Sequence, residues 1–482
     1  MLRWRIAILI SAAIAISYLD RQTLPIAIGA IKADIPISNQ VKAVLDSAFL
    51  VTYGLMYLGG GRLMDVLGTR RGFTIIMVFW SLACASHGFA TNVILLAASR
   101  LLLGIGEGGG FPAATRAIAE WFPAKERSTA MGIINAGTAV GAVIAPPLIA
   151  SVILNFHWLQ LSSWRWVFFI TGAAGLLWTL WWVRAYFPPE EHPKLTATER
   201  EFIEATGDGM EAAAIAPSEP ATFNIQHRTS NIELPIDPNA LRDLGLESSM
   251  LNVESSSSAP RGPGFDASPK LKAKDSSAHS LAELLRFRET WGVMLAKFLS
   301  DAAWYFYLFW LPKYLLDARG FDIKGVGSVA WIPYAAAGIG CLGGGGLSSW
   351  MLHRGRSVNF ARKFALATGA FVMPCAILIP HVSITWCIAL FSLAFFGHQW
   401  WSTLVMILPT DLFPKRAIGT VAGLVGMSGA MGGVVLGQVA GYLLDHGFSY
   451  APVLAIAGSL HVVAFLVICL ALPTIRPLPM NR

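Results

Sequence analysis

Charged side chains are scarce in this chain. Asp, Glu, Lys and Arg make up 13% of it, against about 25% in an ordinary soluble domain. That scarcity alone fits either a large soluble core or a membrane protein, so the length of the uncharged runs must decide. Cysteine is scarce as well. Cys84, Cys341, Cys375, Cys387 and Cys469 are scattered, mostly inside apolar stretches. They show neither metal-ligand spacing nor a disulfide framework, so no metal or cofactor is expected. The sequence also lacks a nucleophile–base pair and a phosphate-binding loop, which argues against an enzyme. The formal net charge of +7 would suit a nucleic-acid protein. Here, however, the basic residues sit in short loops between apolar segments. Membrane topology accounts for them, and no nucleic-acid partner is expected.

Apolar runs are abundant. Hydrophobic residues form 55% of the chain and the mean hydropathy is +0.56. Runs of about 20 residues with few charges are candidates to cross a bilayer. Backbone facing lipid must satisfy its own hydrogen bonds, so such runs are helices. Twelve spans follow, near Trp4–Ile31, Lys42–Met64, Gly72–Phe89, Asn92–Trp121, Ser128–Leu154 and Trp164–Phe187, then Thr290–Leu316, Val326–Leu352, Phe360–Ile379, Ile384–Leu412, Ile418–Asp445 and Ala451–Leu472. The expected fold is an all-α membrane protein of two six-helix bundles. Arg3 and Arg5 ahead of an apolar run resemble a signal peptide. That run continues through Asp20-Arg21 to about Ile31 and more spans follow, so it reads as an uncleaved first helix.

Lys and Arg favour one side of the membrane. Arg62, Arg70, Arg71, Lys125, Arg127, Arg354, Arg356, Arg362, Lys363, Lys415 and Arg416 share that side with Arg3, Arg5, Arg476 and Arg482. The positive-inside rule makes it cytoplasmic and places both termini inside the cell membrane. The expected domains are an N-terminal bundle over 1–187, a linker over 188–285 and a C-terminal bundle over 286–482. The linker is rich in Ser, Pro, Ala and Glu. SSSSAPRGPGFDASPKLKAKDSS reads as disordered, after a short helix in LTATEREFIEA capped by Thr196 with Glu199 three residues on. It is either a tether between the bundles or a regulatory segment.

The two halves resemble each other. Phe122-Pro123 lies on Phe413-Pro414 at an offset of 291, which also lays Glu120 on Asp411, Gly132 on Gly423 and Gly141 on Gly432. Parallel repeats with a site at their midplane interface are a transporter design. Asp20 and Arg21 lie inside the first span, and Arg100 and Glu107 inside the fourth. Each would cost about 2.5–3.5 kcal/mol if left alone at the bilayer centre, so they are expected to face one another or water. At about 1.5 Å rise per residue, Asp20 and Arg100 reach similar depths and are expected to pair, with Glu107 nearer the middle. Desolvation disfavours the charged form of such a carboxylate, so Glu107 can carry a proton. The alternative is a static network that fixes packing. Arg21 can hold an anionic substrate with two hydrogen bonds or serve as another internal partner of Glu107. The 291 offset carries Glu107 onto His398, in the segment GHQWWS. That imidazole can answer to protons or substrate, or be a satisfied buried histidine. Gln399 offers amide hydrogen bonds, and Trp400 or Trp401 an apolar face for a sugar. Tyr18, Tyr53, Asn135, Tyr305 and Tyr307 are further polar groups at this depth. Glycines in spans five and eleven read as close packing. Lys297 and Asp301, four apart, read as a pair.

The loop GRLMDVLGTRRG resembles the G-x-x-x-D-x-x-G-x-R-R signature of the major facilitator superfamily, through Gly61, Asp65, Gly68, Arg70 and Arg71. Val66 stands where the family places a basic residue. The corresponding loop of the second half, SSWMLHRGRS, lacks the Asp, so the gate is one-sided. Within that superfamily the chain is similar to the anion:cation symporter family. YLDRQTL, RLLLGIGEGGGFPAATRAIAEWFPAKER and GIINAGTAVGAVIAPP carry the similarity, with FYLFWLPKYLLDARGF, FGHQWWS, LPTDLFPKRAIGTVAGLVGMSGAMGG and GSLHVVAFLVI in the second half. It covers nearly everything except the linker, and its hexuronate branch resembles this chain best. The resemblance implies a proton-coupled symporter, a monomer, that imports a sugar acid such as glucuronate or galacturonate by alternating access. It implies coupling roles for Asp20 and Glu107 with Arg100 as partner of Asp20. It implies substrate contacts at Arg21, Tyr18, Tyr53 and Asn135, and at Gln399 and Trp400. The rival readings are a symporter of another organic anion (aldonate, aldarate or aromatic carboxylate) and a membrane receptor for sugar acids.

Overall fold

The structure is a computed structural model that describes residues 1–122, 126–203 and 281–478. Most of the expected linker, 204–280, lies outside the described residues, as do the side chains of Gly61 and Asp65. Twelve helical segments cross the molecule. In the first half they are α1 (Leu2–Asp34), α2 (Asn39–Gly60), α3 (Val66–Phe89), α4 (Val93–Trp121), α5 (Arg127–Asn155) and α6 (Ser163–Ala185). In the second they are α7 (Arg288–Arg319), α8 (Ile323–His353), α9 (Val358–His381), α10 (Ile384–Leu412), α11 (Lys415–Asp445) and α12 (Ala451–Ala471). Ten helices among the described residues are apolar and long enough to cross a membrane. The other two, α7 and α10, have the length but a more polar composition. Burial explains this for α7, where every residue from Ser300 to Leu315 is covered by protein. A helix screened from lipid on all sides need not be lipophilic on all sides.

Local sequence sets the breaks. The helical run Asn39–Ser86 is interrupted at Gly68, whose φ of 74° and ψ of 158° separate α2 from α3. That region is nearly closed to residues with a Cβ, which gives a physical reason for glycine at this place in the loop signature. Asn92, Ser357 and Asp322 cap α4, α9 and α8 by accepting from Leu95, Phe360 and Gly325 N–H.

The repeat seen in sequence is a repeat in packing. Helix α1 lies on α5 as α7 lies on α11, and α2 meets α4 as α8 meets α10. A Cβ on Gly141 of α5 would strike the carbonyl oxygen of Ala15 on α1, and one on Gly432 of α11 would strike that of Phe298 on α7. The two glycines are 291 positions apart. At the end that carries the termini the symmetry recurs in polar form. Glu120, closing α4, accepts from Thr69 Oγ1 at 2.5 Å and Tyr186 OH at 2.6 Å. Asp411, closing α10, pairs with Arg362 at 2.8 Å.

Four sets of contacts join the two bundles toward the opposite end. Asp445 of α11 accepts from the N–H groups of Asn39 and Gln40 at 2.9 and 2.7 Å, supplying from one bundle the partners that the first turn of α2 lacks in the other. Gln40 donates to Gln438 at 2.6 Å, Gln438 donates to Ser47 at 2.7 Å, and Tyr334 of α8 donates to Gln22 of α1 at 3.0 Å. At the terminal end, Arg3 bridges Glu126 at 2.7 Å and Glu199 at 2.9 Å. Glu199 also accepts from Leu2 N–H at 3.0 Å, and its helix begins where Thr196 accepts from Glu199 N–H. Burial alone would push the Glu199 carboxyl up. The N–H groups of Leu2 and Arg3 and the Arg3 guanidinium outweigh it and hold the group below its ordinary range.

The glycine contacts are testable. Gly141→Leu and Gly432→Leu should each destabilise the protein by about 1–3 kcal/mol, the usual cost of overpacking. Gly437→Leu, where nothing lies within 4 Å of the new Cβ, should change little. Thermal unfolding in detergent compares the three.

Candidate functional site

The site forms where α1, α2 and α4 meet. Glycines let α4 approach closely: a Cβ at Gly104 would strike Thr52 of α2, and one at Gly108 would lie 2.6 Å from the carbonyl oxygen of Tyr53. Glu107 sits between them and reaches α1. Its Oε2 accepts from Arg21 Nε at 2.6 Å and from Ser17 Oγ at 2.8 Å. Arg21 is 2% exposed and Glu107 1%. The guanidinium is walled by aromatic rings, with its centre 4.6 Å from Tyr18, 4.4 Å from Tyr53 and 5.6 Å from Phe49. Tyr57 packs edge-on against Tyr53, and Phe49 reaches across to Phe309 of the second bundle. A dry ion pair with such short contacts is expensive to break, about 3–5 kcal/mol if one partner is lost.

The expected pairing of Asp20 with Arg100 is not formed. Arg21 takes the face of α1 that looks at α4. Successive helical residues point about 100° apart, so Asp20 looks elsewhere. It is fully buried and its polar neighbours are Cys84, Thr171 and Trp80. None is close and aligned enough to bond either oxygen. Arg100 is 1% exposed and borders the ring of Phe49 at 5.8 Å. Its Nε and Nη2 make no hydrogen bond among the described residues. Rise along a helix can be read from sequence, whereas the direction each side chain faces cannot. Nearby, Lys42 and Asp46 form a buried pair at 2.6 Å, with Lys42 Nζ 4.2 Å from the Trp310 ring. Both residues escaped the sequence reading, although their i,i+4 spacing inside a span was a usable signal.

In the second bundle Lys297 pairs with Asp301 at 3.0 Å, as expected, and donates to Ser402 at 2.8 Å. His398 is 1% exposed. It stacks on Trp304 with centroids 4.7 Å apart and meets His461 of α12 through its Nδ1 at 3.0 Å. His461 lies in GSLHVVAFLVI and was not singled out from sequence. Trp400 does not face the bundle interface. Its indole N–H donates to Ala365 O at 2.9 Å, and its ring crowds Gly343 of α8 and Gly369 of α9. Gln399 and Asn135 are half-buried. Of the loop signature, Arg70 donates to Val183 O at 2.8 Å and stacks over Phe187, while Arg71 is exposed.

Comparison with known proteins agrees with this layout. The sequence profile of the Major Facilitator Superfamily matches residues 10–437. The chain is 29% identical over 474 residues to the hexuronate transporter of Escherichia coli (strain K12), covering 97% of this chain and 93% of that protein. It is 28% identical over 463 residues to the probable galactarate/D-glucarate transporter of the same strain, covering 95% and 91%. Among solved structures, a bacterial homolog of the human lysosomal transporter Spinster, inward-facing and occupied, superposes with a TM-score of 0.61 at 16% identity. That match covers 97% of this chain and 94% of that one, and at this identity it speaks for the fold alone. A profile match across most of the chain, over twelve helices in two repeated bundles with buried charges between α1 and α4, leaves one assignment: the chain belongs to the Major Facilitator Superfamily and is a multi-pass membrane transporter related to sugar-acid transporters.

Proposed function

We propose that this carrier imports a sugar acid anion, a hexuronate such as glucuronate or galacturonate, together with protons. The observation that supports it is the dry Arg21–Glu107 pair. While Glu107 is ionised it holds Arg21 Nε and cancels the guanidinium's charge, so a substrate carboxylate meets no net positive charge. A proton on Glu107 cancels its charge and frees Arg21 to grip the substrate with two parallel hydrogen bonds. Proton and anion then enter together, and the net charge of the pocket is unchanged. That exchange couples the two fluxes without any separate gate.

Asp20 supplies a second carboxyl. With neither oxygen bonded, it is far less costly as the neutral acid than as the ion, which suits a group that is loaded with a proton at one stage of the cycle. Tyr18 and Tyr53, whose rings hold Arg21 in place, would offer phenol hydrogen bonds and an apolar face to the sugar ring. In alternating access the outward-opening step must part Asp445 from α2, Gln438 from Gln40 and Ser47, and Tyr334 from Gln22, at the end assigned to the cell exterior. The termini then lie in the cytoplasm. Substrate choice within the class follows from chemistry: a hexuronate presents one carboxylate and an aldarate two. Competition of labelled glucuronate uptake by glucuronate, galactonate and galactarate separates these readings.

Three outcomes follow for purified protein in proteoliposomes. Glu107→Gln should abolish pH-gradient-driven accumulation of glucuronate yet retain counterflow exchange; normal accumulation would remove Glu107 from coupling. Arg21→Ala loses a charged hydrogen-bonding partner worth about 2–5 kcal/mol. It should therefore weaken glucuronate binding roughly 30-fold or more, and unchanged affinity would take Arg21 out of the site. In the unmodified protein, glucuronate affinity should tighten by about tenfold per unit fall in pH over the range where Glu107 is ionised when empty. Glu107→Gln should flatten that slope.

A further inference from the structure

The geometry points to a second proton-binding site, wholly inside the second bundle, formed by His398 of α10 and His461 of α12 beside Asp301 of α7. It rests on the proton-coupled reading above and adds a group to it. Histidines 63 positions apart meet ring nitrogen to ring nitrogen at 3.0 Å, both almost completely buried at 1% and 0% exposure. One N–H must lie in that contact, since two bare lone pairs would repel. The neutral pair carries two protons on four ring nitrogens, one in the shared contact and one at an outer end. The outer ends are His398 Nε2, 3.9 Å from Asp301 Oδ1, and His461 Nδ1, which has no hydrogen-bond partner among the described residues. A third proton therefore fits at the vacant end without moving a heavy atom. No bond other than N–H forms, and the pair goes from neutral to a single positive charge.

The surroundings can hold that charge. Asp301 attracts it and Lys297, paired with Asp301 at 3.0 Å, opposes it. Trp304 lies flat on the His398 ring, with 8° between the planes, and Trp401 meets His461 edge-on. The face of Trp304 offers an aromatic partner to an imidazolium. The titratable groups on the other helices packed against α10 meet other residues of it: Cys341 and Tyr334 of α8 meet Thr403 and Phe395, and Cys375 and Arg362 of α9 meet Leu390 O and Asp411. On the side of the bundle interface, Asp301 is felt by Tyr18, Tyr57 and Tyr305. Tyr18 also borders Arg21. One carboxylate thus lies near both the histidine pair and the tyrosines around Arg21. A network that only fixes packing has no use for an end nitrogen left bare in a dry core, because an unpaired buried polar atom costs about 1–3 kcal/mol.

Two measurements test the site. The first is the proton-to-glucuronate ratio of the full-length protein in proteoliposomes, found by balancing a glucuronate gradient against pH and voltage until net flux stops. The double variant His398→Gln, His461→Gln should transport one proton fewer per glucuronate than the unmodified protein. An active double variant with an unchanged ratio overturns the proposal. The second needs no substitution and decides the matter if the double variant is inactive or unfolded. In protein labelled with 15N-histidine, the pair is recognised by nitrogen–nitrogen coupling across its shared hydrogen bond. It should take up one proton within the pH range over which the unmodified protein couples glucuronate to protons. A pair that stays neutral throughout overturns the proposal. If the unmodified protein shows no proton-driven glucuronate uptake at all, the transport reading fails, and the titration still decides the histidine site.

Discussion

Charge buried in a medium without water has to be cancelled where it stands, and the organisation of this protein follows from that constraint. Arg21 and Glu107 cancel at 2.6 Å, Lys42 and Asp46 at 2.6 Å, and Lys297 and Asp301 at 3.0 Å. Each pair is a neutral unit that the interior can hold, and each loses much of its stability if one partner is removed. The same constraint makes the Arg21–Glu107 pair suitable for transport. Only an exchange that keeps the pocket neutral is cheap, and a proton entering with a monoanion is such an exchange. In the proposed cycle, coupling is therefore a consequence of electrostatics inside the fold.

The two bundles share a backbone plan and differ in chemistry. Gly141 and Gly432 bring pseudo-equivalent helices to the same distance of approach, and Glu120 and Asp411 close α4 and α10 with related polar contacts. At the position of Glu107 the second bundle has His398. A carboxylate there answers to an arginine on α1, whereas an imidazole answers to another imidazole on α12 and to a carboxylate on α7. The helix contacts that set the frame are common to both halves, and the polar residues within it differ. The bundles also meet asymmetrically along their length. Asp445, Gln438 and Tyr334 join them toward the end away from the termini, which is where the proposed cycle parts them.

Much of the fold was legible because it follows from run length and spacing. A bilayer demands about 20 apolar residues per helix, and ten of the described helices supply them. Helix α7 shows how the rule bends: protein covers what lipid would otherwise reject. The break at Gly68 was legible too, as a glycine in a loop signature, although only its φ of 74° shows why no other residue suits it. The site was legible as a set of residues and illegible as a set of partners. Asp20 was expected to pair with Arg100 and faces Cys84, Thr171 and Trp80 instead, while of the two roles open to Arg21 the structure shows the ion pair with Glu107. Trp400, expected near a sugar, is turned into its own bundle by a hydrogen bond to Ala365.

Sequence by itself determined the number of spans, the repeat at an offset of 291 and most of the charges that cannot face lipid, Lys42 and Asp46 excepted. Each is a property of position along one helix, where rise and spacing are fixed. Tertiary structure decided which of those charges touch. Contact depends on the rotation of each helix about its axis and on how closely glycines allow it to approach its neighbours. Those are properties of pairs of helices, so Ser17 beside Glu107 and His461 against His398 came into view only when the helices were packed together.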